Sequence, residues 1–283
     1  MAVNYNVAGD IASYVNTIYE DALLVLRDNM LAASLVMNYS DRSGTATRSL
    51  EEYGTATINQ VSDADDLSSQ AFTPSNLSTL TPVEYGAQFL ITDLRAETDP
   101  FPVSQQAATE LGMAMADKID VSVFSNFSSL TGGTVGASGS AISWDYVFGM
   151  MGHLRAQKAP KPWNLVLHPY QWYILGAAAS VAGTRTNAPE YLLQSVAENF
   201  YVQSTSGINI FITTNVPVSG TDAYAALFSP AALAFDLRRA PRLERERDAS
   251  RRAWELNFTS VFGHGVWRPK FGVQGIFDNS APS

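Results

Sequence analysis

Five apolar residues spaced four apart, Leu111, Met115, Ile119, Val123 and Phe127, constrain this chain more than any other feature. A repeat of four holds side chains on one face of an α-helix. Ala108 and Phe124 flank the stripe, and the spacing predicts a helix of about six turns, against about three for an ordinary helix. Pro100-Phe101-Pro102 ends whatever precedes it, because proline cannot continue a hydrogen-bonded ladder. Ser104 is the expected N-cap, and Thr131-Gly132-Gly133 closes the helix. With β-like segments on either side, this helix reads as a spine.

Upstream, residues 1–9 are polar, and Asp10 is placed to cap a helix striped by Ile11, Tyr14, Val15, Ile18, Ala22, Val25 and Leu26. That stripe fits a helix on its own core and equally an arm docked on a neighbour. Residues 43–92 are dominated by Gly, Ser, Thr, Asp and Asn, with Arg48 against Glu51, Glu52, Asp63, Asp65, Asp66 and Glu84. Residues 55–61 and 78–92 have strand character, so the segment reads as a long two-stranded excursion with a polar tip. A disordered surface loop is the plainer alternative. An isolated hairpin is marginal in water, so an ordered one needs a partner surface.

Downstream, the glycine-rich run 132–139 reads as a linker. Ser143 is the expected cap of a helix bearing Val147, Phe148, Met151 and Leu154, ended by Pro160 and Pro162. Trp163-Asn164-Leu165-Val166-Leu167 reads as a buried strand, and His168-Pro169 turns it into a helix over 170–179, with Pro169 suited to the first turn. A further helix is expected over 188–200, and strands over 208–213 and 223–228. Alternation of Trp254, Leu256, Phe258, Ser260 and Phe262, then of Trp267, Pro269, Phe271, Val273 and Phe277, predicts two closing strands. Pro269 places the last at a sheet edge. The fold class is α+β.

The chain has no cysteine, which excludes disulfides and thiolate metal sites. No run of apolar residues is long enough to span a bilayer, and the first residues lack the basic and apolar regions of a secretory signal. The nucleophile elbow, phosphate-binding loop and paired histidine metal motifs are all missing. The segment 236–252 carries Arg238, Arg239, Arg242, Arg245, Arg247, Arg251 and Arg252 against Asp236, Glu244, Glu246 and Asp248; these seven cations and four anions give +3, leaving −12 for the rest of a chain of net −9. A nucleic-acid patch is purer in sign. Interleaved signs on a strand suit ion pairs between strands or subunits.

The order of these parts, with the strand-His-Pro-helix unit at 165–169, the run Tyr85-Gly86-Ala87-Gln88-Phe89 leading to Ile91-Thr92-Asp93-Leu94 before the spine, and the closing Gly265-Val266-Trp267-Arg268-Pro269-Lys270-Phe271-Gly272-Val273, resembles the major capsid proteins of tailed bacteriophages, with the Hong Kong 97-type fold. The resemblance implies an N-terminal arm over 1–42 and an extended loop over 43–93. It implies a peripheral domain from 94–139 and 236–283, and an axial domain over 140–235. It implies self-assembly through hexamers and pentamers into an icosahedral shell around double-stranded DNA, without catalysis, cofactor, metal or membrane. A scaffolding protein, a portal and a cementing protein are the expected partners. The virion is the expected location, after assembly in the host bacterial cytoplasm. The assembly surfaces expected are Arg48, Glu51, Glu52, Asp63, Asp65 and Asp66 of the extended loop and the arginine cluster. The short run before the arm helix points to a separate scaffolding protein or a trimmed product. The family's founding example welds its subunits through a lysine of the extended loop; here no lysine precedes Lys118, so a shell without covalent links is expected. A cellular cargo compartment of the same architecture (an encapsulin-like shell) is the alternative, and an α+β binding protein using His168, Arg185 and Asp222 is the rival of a different class.

Overall fold

The computed structural model describes residues 30–40, 46–54, 56–63, 66–67, 69–98, 103–181, 201–205 and 207–281. The expected helices over 10–26 and 188–200, and Asp65 and Arg185, lie outside the described residues. In chain order the helices are α1 (Ala32–Leu35), α2 (Asp93–Thr98), α3 (Val103–Phe124), α4 (Trp144–Ala156) and α5 (Pro169–Val181). The strands are β1 (Met37–Tyr39), β2 (Arg48–Tyr53), β3 (Pro74–Leu80), β4 (Val83–Thr92), β5 (Thr134–Gly136), β6 (Trp163–Leu167), β7 (Tyr201–Thr205), β8 (Ile208–Ile212), β9 (Val218–Ser219), β10 (Asp222–Phe228), β11 (Leu233–Asp248), β12 (Ala253–Val266) and β13 (Gly272–Asp278).

The spine is α3, which ends at Phe124 and tightens into a 3-10 helix over Ser125–Ser129. It starts at Val103, so Ser104 sits inside the first turn rather than at the cap. Leu111, Met115, Ile119, Val123 and Phe127 are all buried. At roughly 2 kcal/mol per buried large apolar side chain, the stripe contributes on the order of 10 kcal/mol before chain entropy.

Two sheets meet at this helix. One has the order β1-β11-β12-β4, built on the long antiparallel pair β11–β12. The other has the order β5-β13-β10-β6-β8-β7, with β9 beside β10. Alternation along β6 sends Val166 into the core shared with the spine, and Leu165 and Leu167 into a second core under α4 and α5. Phe127 at the foot of the spine packs against Phe228 of β10 (5.6 Å), and Phe258 and Phe262 of β12 enter the same cluster. The spine therefore holds both sheets at once.

Four expectations about strands are corrected. The excursion pairs β2 with β3, whereas residues 56–61 form no strand. β4, expected as part of that excursion, pairs with β12 along its whole length. Its alternation matched a strand, but the partner was distant in sequence. The run 132–139 is not a linker: β5 pairs in parallel with β13. A Cβ on Gly132 would stand 2.5 Å from the carbonyl oxygen of Lys270, and one on Gly136 (φ 79°) would collide with the Phe277 ring. These glycines mark close backbone approach. The last strand is not at an edge, since β13 lies between β5 and β10 and Pro269 precedes it in a 3-10 helix.

Gly136→Ala should therefore lower the unfolding free energy by about 2–4 kcal/mol, combining strain at positive φ with a core clash. Gly139→Ala shares the positive φ (75°) but meets open space, and should cost about 1 kcal/mol. Denaturant unfolding of the two variants side by side checks this; equal losses would show that packing at Gly136 adds nothing.

Candidate assembly surfaces

Among the described residues the β2–β3 hairpin is fixed at its root. There Leu50 and Leu80 pack with Ala234 of β11, beside Tyr39 and Trp267. The Trp267 indole N–H donates to the Glu51 carbonyl (3.4 Å). Arg48 lies over the Tyr39 ring (4.6 Å) and pairs with Asp236 (3.2 Å). Asp236 is fully buried and its Oδ2 also receives Arg238 (2.6 Å), so one carboxylate joins the hairpin to β11. Glu52 pairs with Lys270 (3.2 Å) and Arg268 (3.6 Å). Of the loop residues expected at an assembly surface, Arg48 and Glu52 are thus engaged within their own chain. Asp63 and Asp66 lie exposed at the far end.

Beyond the root the hairpin buries almost nothing. Tyr53 and Phe72 stack on each other at 4.8 Å, yet Phe72 remains 69% exposed. Ile58 is 96% exposed and Leu67 77%. Past the last strand pair, the Gln70 side chain continues the ladder: it receives the Thr57 N–H (2.9 Å) and donates to the Thr57 carbonyl (2.5 Å). Side-chain amide bonding of this kind keeps the two arms together without a core. A shaped projection with apolar side chains in water is the form expected of a surface completed by another chain.

The arginine cluster lies on β11 and the turn after it. Arg247 makes a paired contact to both oxygens of Asp93 (2.7 and 2.6 Å), and this guanidinium holds the Asp93 carboxyl below its usual range. Arg239 pairs with Glu84 of β4, Arg242 with Glu244 (3.3 Å) and Arg251 with Asp248 (3.4 Å). Arg245 and Arg247 both approach the Trp254 ring, at 4.8 and 5.1 Å. Arg252 takes φ 50° in the turn. The signs interleave because the cations mainly fasten β11 to its own sheet and to the entry of α2. Next to this sheet, small Gly86 and Ala87 leave a hollow of about 150 Å³ against Leu111, Met115 and Lys118 of the spine.

The described part of the N-terminal segment is built into the core. Ala32, Ala33, Leu35 and Val36 are buried against the spine. Asp120 of α3, 1% exposed, accepts the N–H groups of Leu31 (3.2 Å) and Ala32 (2.8 Å) at the start of α1. Asn164 of β6 donates to the Leu35 carbonyl (3.4 Å) at its end. A carboxylate from another helix thus does the work of a cap for a helix whose own residue Leu31 has no capping side chain. Burial pushes the Asp120 carboxyl up to about 6, against the pull of these two N–H groups and Asn215.

Sequence reading gave Asp120 and Asn164 no role, and counted Asp236 only among the anions of the mixed-sign segment. The available signal was a lone Asp at position 120 of an otherwise apolar helix face, and a single Asp at the start of an arginine-rich strand. Two of the three histidines serve as structural groups. His168 Nδ1 accepts the Tyr170 N–H (3.3 Å) as a helix cap, and burial lowers its pKa. His264 Nδ1 accepts from Asn126 (2.9 Å), joining β12 to the foot of the spine. Asp222 is held by the Ser138 hydroxyl (2.5 Å) and the Gly139 N–H (2.9 Å). Among the described residues no group of three His, Asp or Glu is arranged to hold a metal, and no helix is long and apolar enough to cross a membrane.

Asp120 predicts a pH dependence. The folded state keeps the proton up to about pH 6, whereas the ordinary carboxyl loses it near 3.8. Folded chains therefore bind more protons in this window, and the residue's contribution to stability falls as pH rises through it. Asp120→Asn should gain about 2–3 kcal/mol relative to the parent between pH 4 and pH 7.5, at about 1.4 kcal/mol for each tenfold difference in proton affinity between folded and unfolded chains. Urea unfolding at the two pH values measures this difference; a pH-independent difference would show that the carboxyl is not strained by burial. Asp120→Ala should be destabilising at both, since two buried N–H groups lose their acceptor.

A family model for phage capsid protein matches residues 76–274. No curated protein matches the chain. Among solved structures, the chain is similar to the capsid of cyanophage P-SCSP1u, at 14% identity over 87% of both chains with a TM-score of 0.69. It is similar to the capsid of Ralstonia phage GP4, at 10% identity over 91% of this chain and 92% of that one with a TM-score of 0.68. It is also similar to a virus-like particle from Pyrococcus furiosus, at 13% identity over 92% and 98% with a TM-score of 0.61. At these identities the likeness is one of fold, and that fold is the α+β Hong Kong 97 type. The span covered by the family model runs from β3 to β13 and takes in the spine and most of both sheets, and on that match the chain belongs to the phage capsid protein family.

Proposed function

We propose that this chain is the structural major capsid subunit of a tailed phage, assembling through hexamers and pentamers into an icosahedral shell around double-stranded DNA. The observation that carries the proposal is the projecting hairpin. Its root is tied by Leu50, Leu80, Arg48 and Glu52, while Ile58, Leu67 and Phe72 stand in water. A single copy gains little from ordering such a segment, whereas burial on a neighbour offsets its entropy. In this reading 43–93 contains the extended loop over a neighbouring subunit. Residues 94–139 and 236–283 form the peripheral domain except for β5 and β13, which pair into the sheet of the axial domain (140–235) at the symmetry axes, and 1–42 the arm. Asp63 and Asp66 then set register at the loop's far end, since charge governs partner choice more than affinity.

The role is structural rather than catalytic. A scaffolding protein, a portal and a cementing protein are the partners this function requires, with assembly in the host bacterial cytoplasm and the virion as the final location. Without a lysine before Lys118, the loop holds its neighbour by non-covalent contacts.

Replacing residues 57–70 by a short turn, which leaves β2, β3 and the root intact, should give a folded subunit with an unchanged melting temperature that forms no closed shells in negative-stain electron microscopy. Normal-sized shells from this variant would refute the loop's role. Intact particles boiled in denaturant should run as a single band near the 30.7 kDa subunit mass; a ladder of multimers would refute the non-covalent shell.

A further inference from the structure

The charge of the axial helices differs from that of the rest of the chain. Residues 146–189 contain no Asp or Glu, in a chain of net charge −9, yet carry Arg155, Lys158, Lys161 and Arg185. The first three come together where α4 ends and β6 begins. Buried Trp163 is the platform for two of them, with the Arg155 guanidinium 5.9 Å and the Lys161 ammonium 5.5 Å from its ring centre. Their side chains are exposed, and among the described residues none of the three pairs with a carboxylate. Lys161 also reaches the β7–β8 turn, its ammonium 3.2 Å from where a Cβ on Gly207 would stand.

Lys158 supplies a second, independent observation. It has φ 55°, just past the end of α4, a position where glycine closes a helix without strain. Its N–H donates to the Arg155 carbonyl and that of Ala159 to Leu154, both at 3.0 Å. Glycine would make the same backbone bonds, so nothing within the chain requires a lysine here. Strain retained at an exposed cation points to something outside the chain.

Between Phe148 and Tyr170 no large apolar side chain is exposed, whereas protein interfaces have an apolar core. A stretch of one sign with no exposed large apolar side chain between Phe148 and Tyr170 fits a phosphate backbone; the mixed-sign β11 strand has no such purity. We infer that Arg155 and Lys161, held over Trp163, and Lys158 between them in sequence form a contact site for the backbone phosphates of double-stranded DNA. The inference rests on the shell reading for the supply of DNA, and a shell multiplies contacts that are weak singly.

The test uses unassembled full-length subunits and a labelled random-sequence duplex of about 30 base pairs, with fluorescence anisotropy read between about 50 and 200 mM salt. Three phosphate contacts predict a fall in affinity of about 40-fold over this range, from a slope of about −0.9 per contact. Lys158→Gly should reduce that fall to about 12-fold without lowering the melting temperature. The triple variant Arg155→Gln, Lys158→Gly, Lys161→Gln should lose measurable duplex binding at about 50 mM salt and still form shells. A salt dependence unchanged in the triple variant would overturn the site. So would loss of rings or shells in the triple variant with DNA binding intact, which would make a second copy the occupant. Wild-type shells that form normally while subunits show no DNA affinity would overturn this inference and leave the shell assignment standing.

Discussion

Everything else in this fold depends on the burial of one helix face between two sheets. The stripe from Leu111 to Phe127 fills the space where β10 of one sheet and β12 of the other approach. Phe124, Phe127 and Phe228 pack ring to ring at the foot of the spine, at 5.1 and 5.6 Å. Neither sheet covers this face alone, so the helix fixes their relation as well as its own position. The last turn tightens to 3-10 geometry, which brings Phe127 and Leu130 into the core before the chain leaves for β5. Interiors are close-packed, and a helix held on both sides transmits a displacement of one sheet to the other.

Polar groups then join the peripheral pieces to this centre. Asp120 receives α1, Asp236 receives both the hairpin and its own strand, and Asn164 ties α1 to β6. Each is buried, and each bridges segments far apart in sequence. Their value is positional. Removing one partner leaves buried groups unsatisfied, whereas the apolar stripe tolerates repacking if its volume is kept. Among the described residues the far part of the hairpin has no such tether. Its stacked Tyr53 and Phe72 and its Gln70 bridge give it a shape, and its exposed apolar residues give it something to bury elsewhere.

Much of this was legible from the residues. The stripe of four and the alternation of β12 are periodic over enough residues to fix both type and facing side, and the short apolar run Trp163–Leu167 marked a strand buried on both faces. The mixed signs at 236–252, read as pairs between strands or subunits, form ion pairs within this chain to β4, to α2 and along β11. The readings that failed did so for definite reasons. The run 132–139 looked like a linker because glycine marks flexibility and close approach alike. Pro269 suggested an edge strand, but it precedes the strand in a 3-10 helix. β4 was given to the excursion because its partner β12 begins more than a hundred and fifty positions later. The cationic ledge was also missed, because its signal is the acids absent from 146–189 rather than a local motif.

Sequence alone thus determined the elements whose pattern repeats along the chain, since a helix or strand declares its buried face by periodicity. It determined the α+β class and, through the order of the elements, the capsid resemblance. Tertiary structure alone decided which strand pairs with which, which glycines are compressed, and where the single buried carboxylates point. Those outcomes depend on contacts between distant residues, and a lone Asp at position 120 or 236 looks the same in sequence whether it meets water, a guanidinium or the start of another helix. The division follows from range: periodic burial is written locally, and pairing is settled only when the spine brings both sheets together.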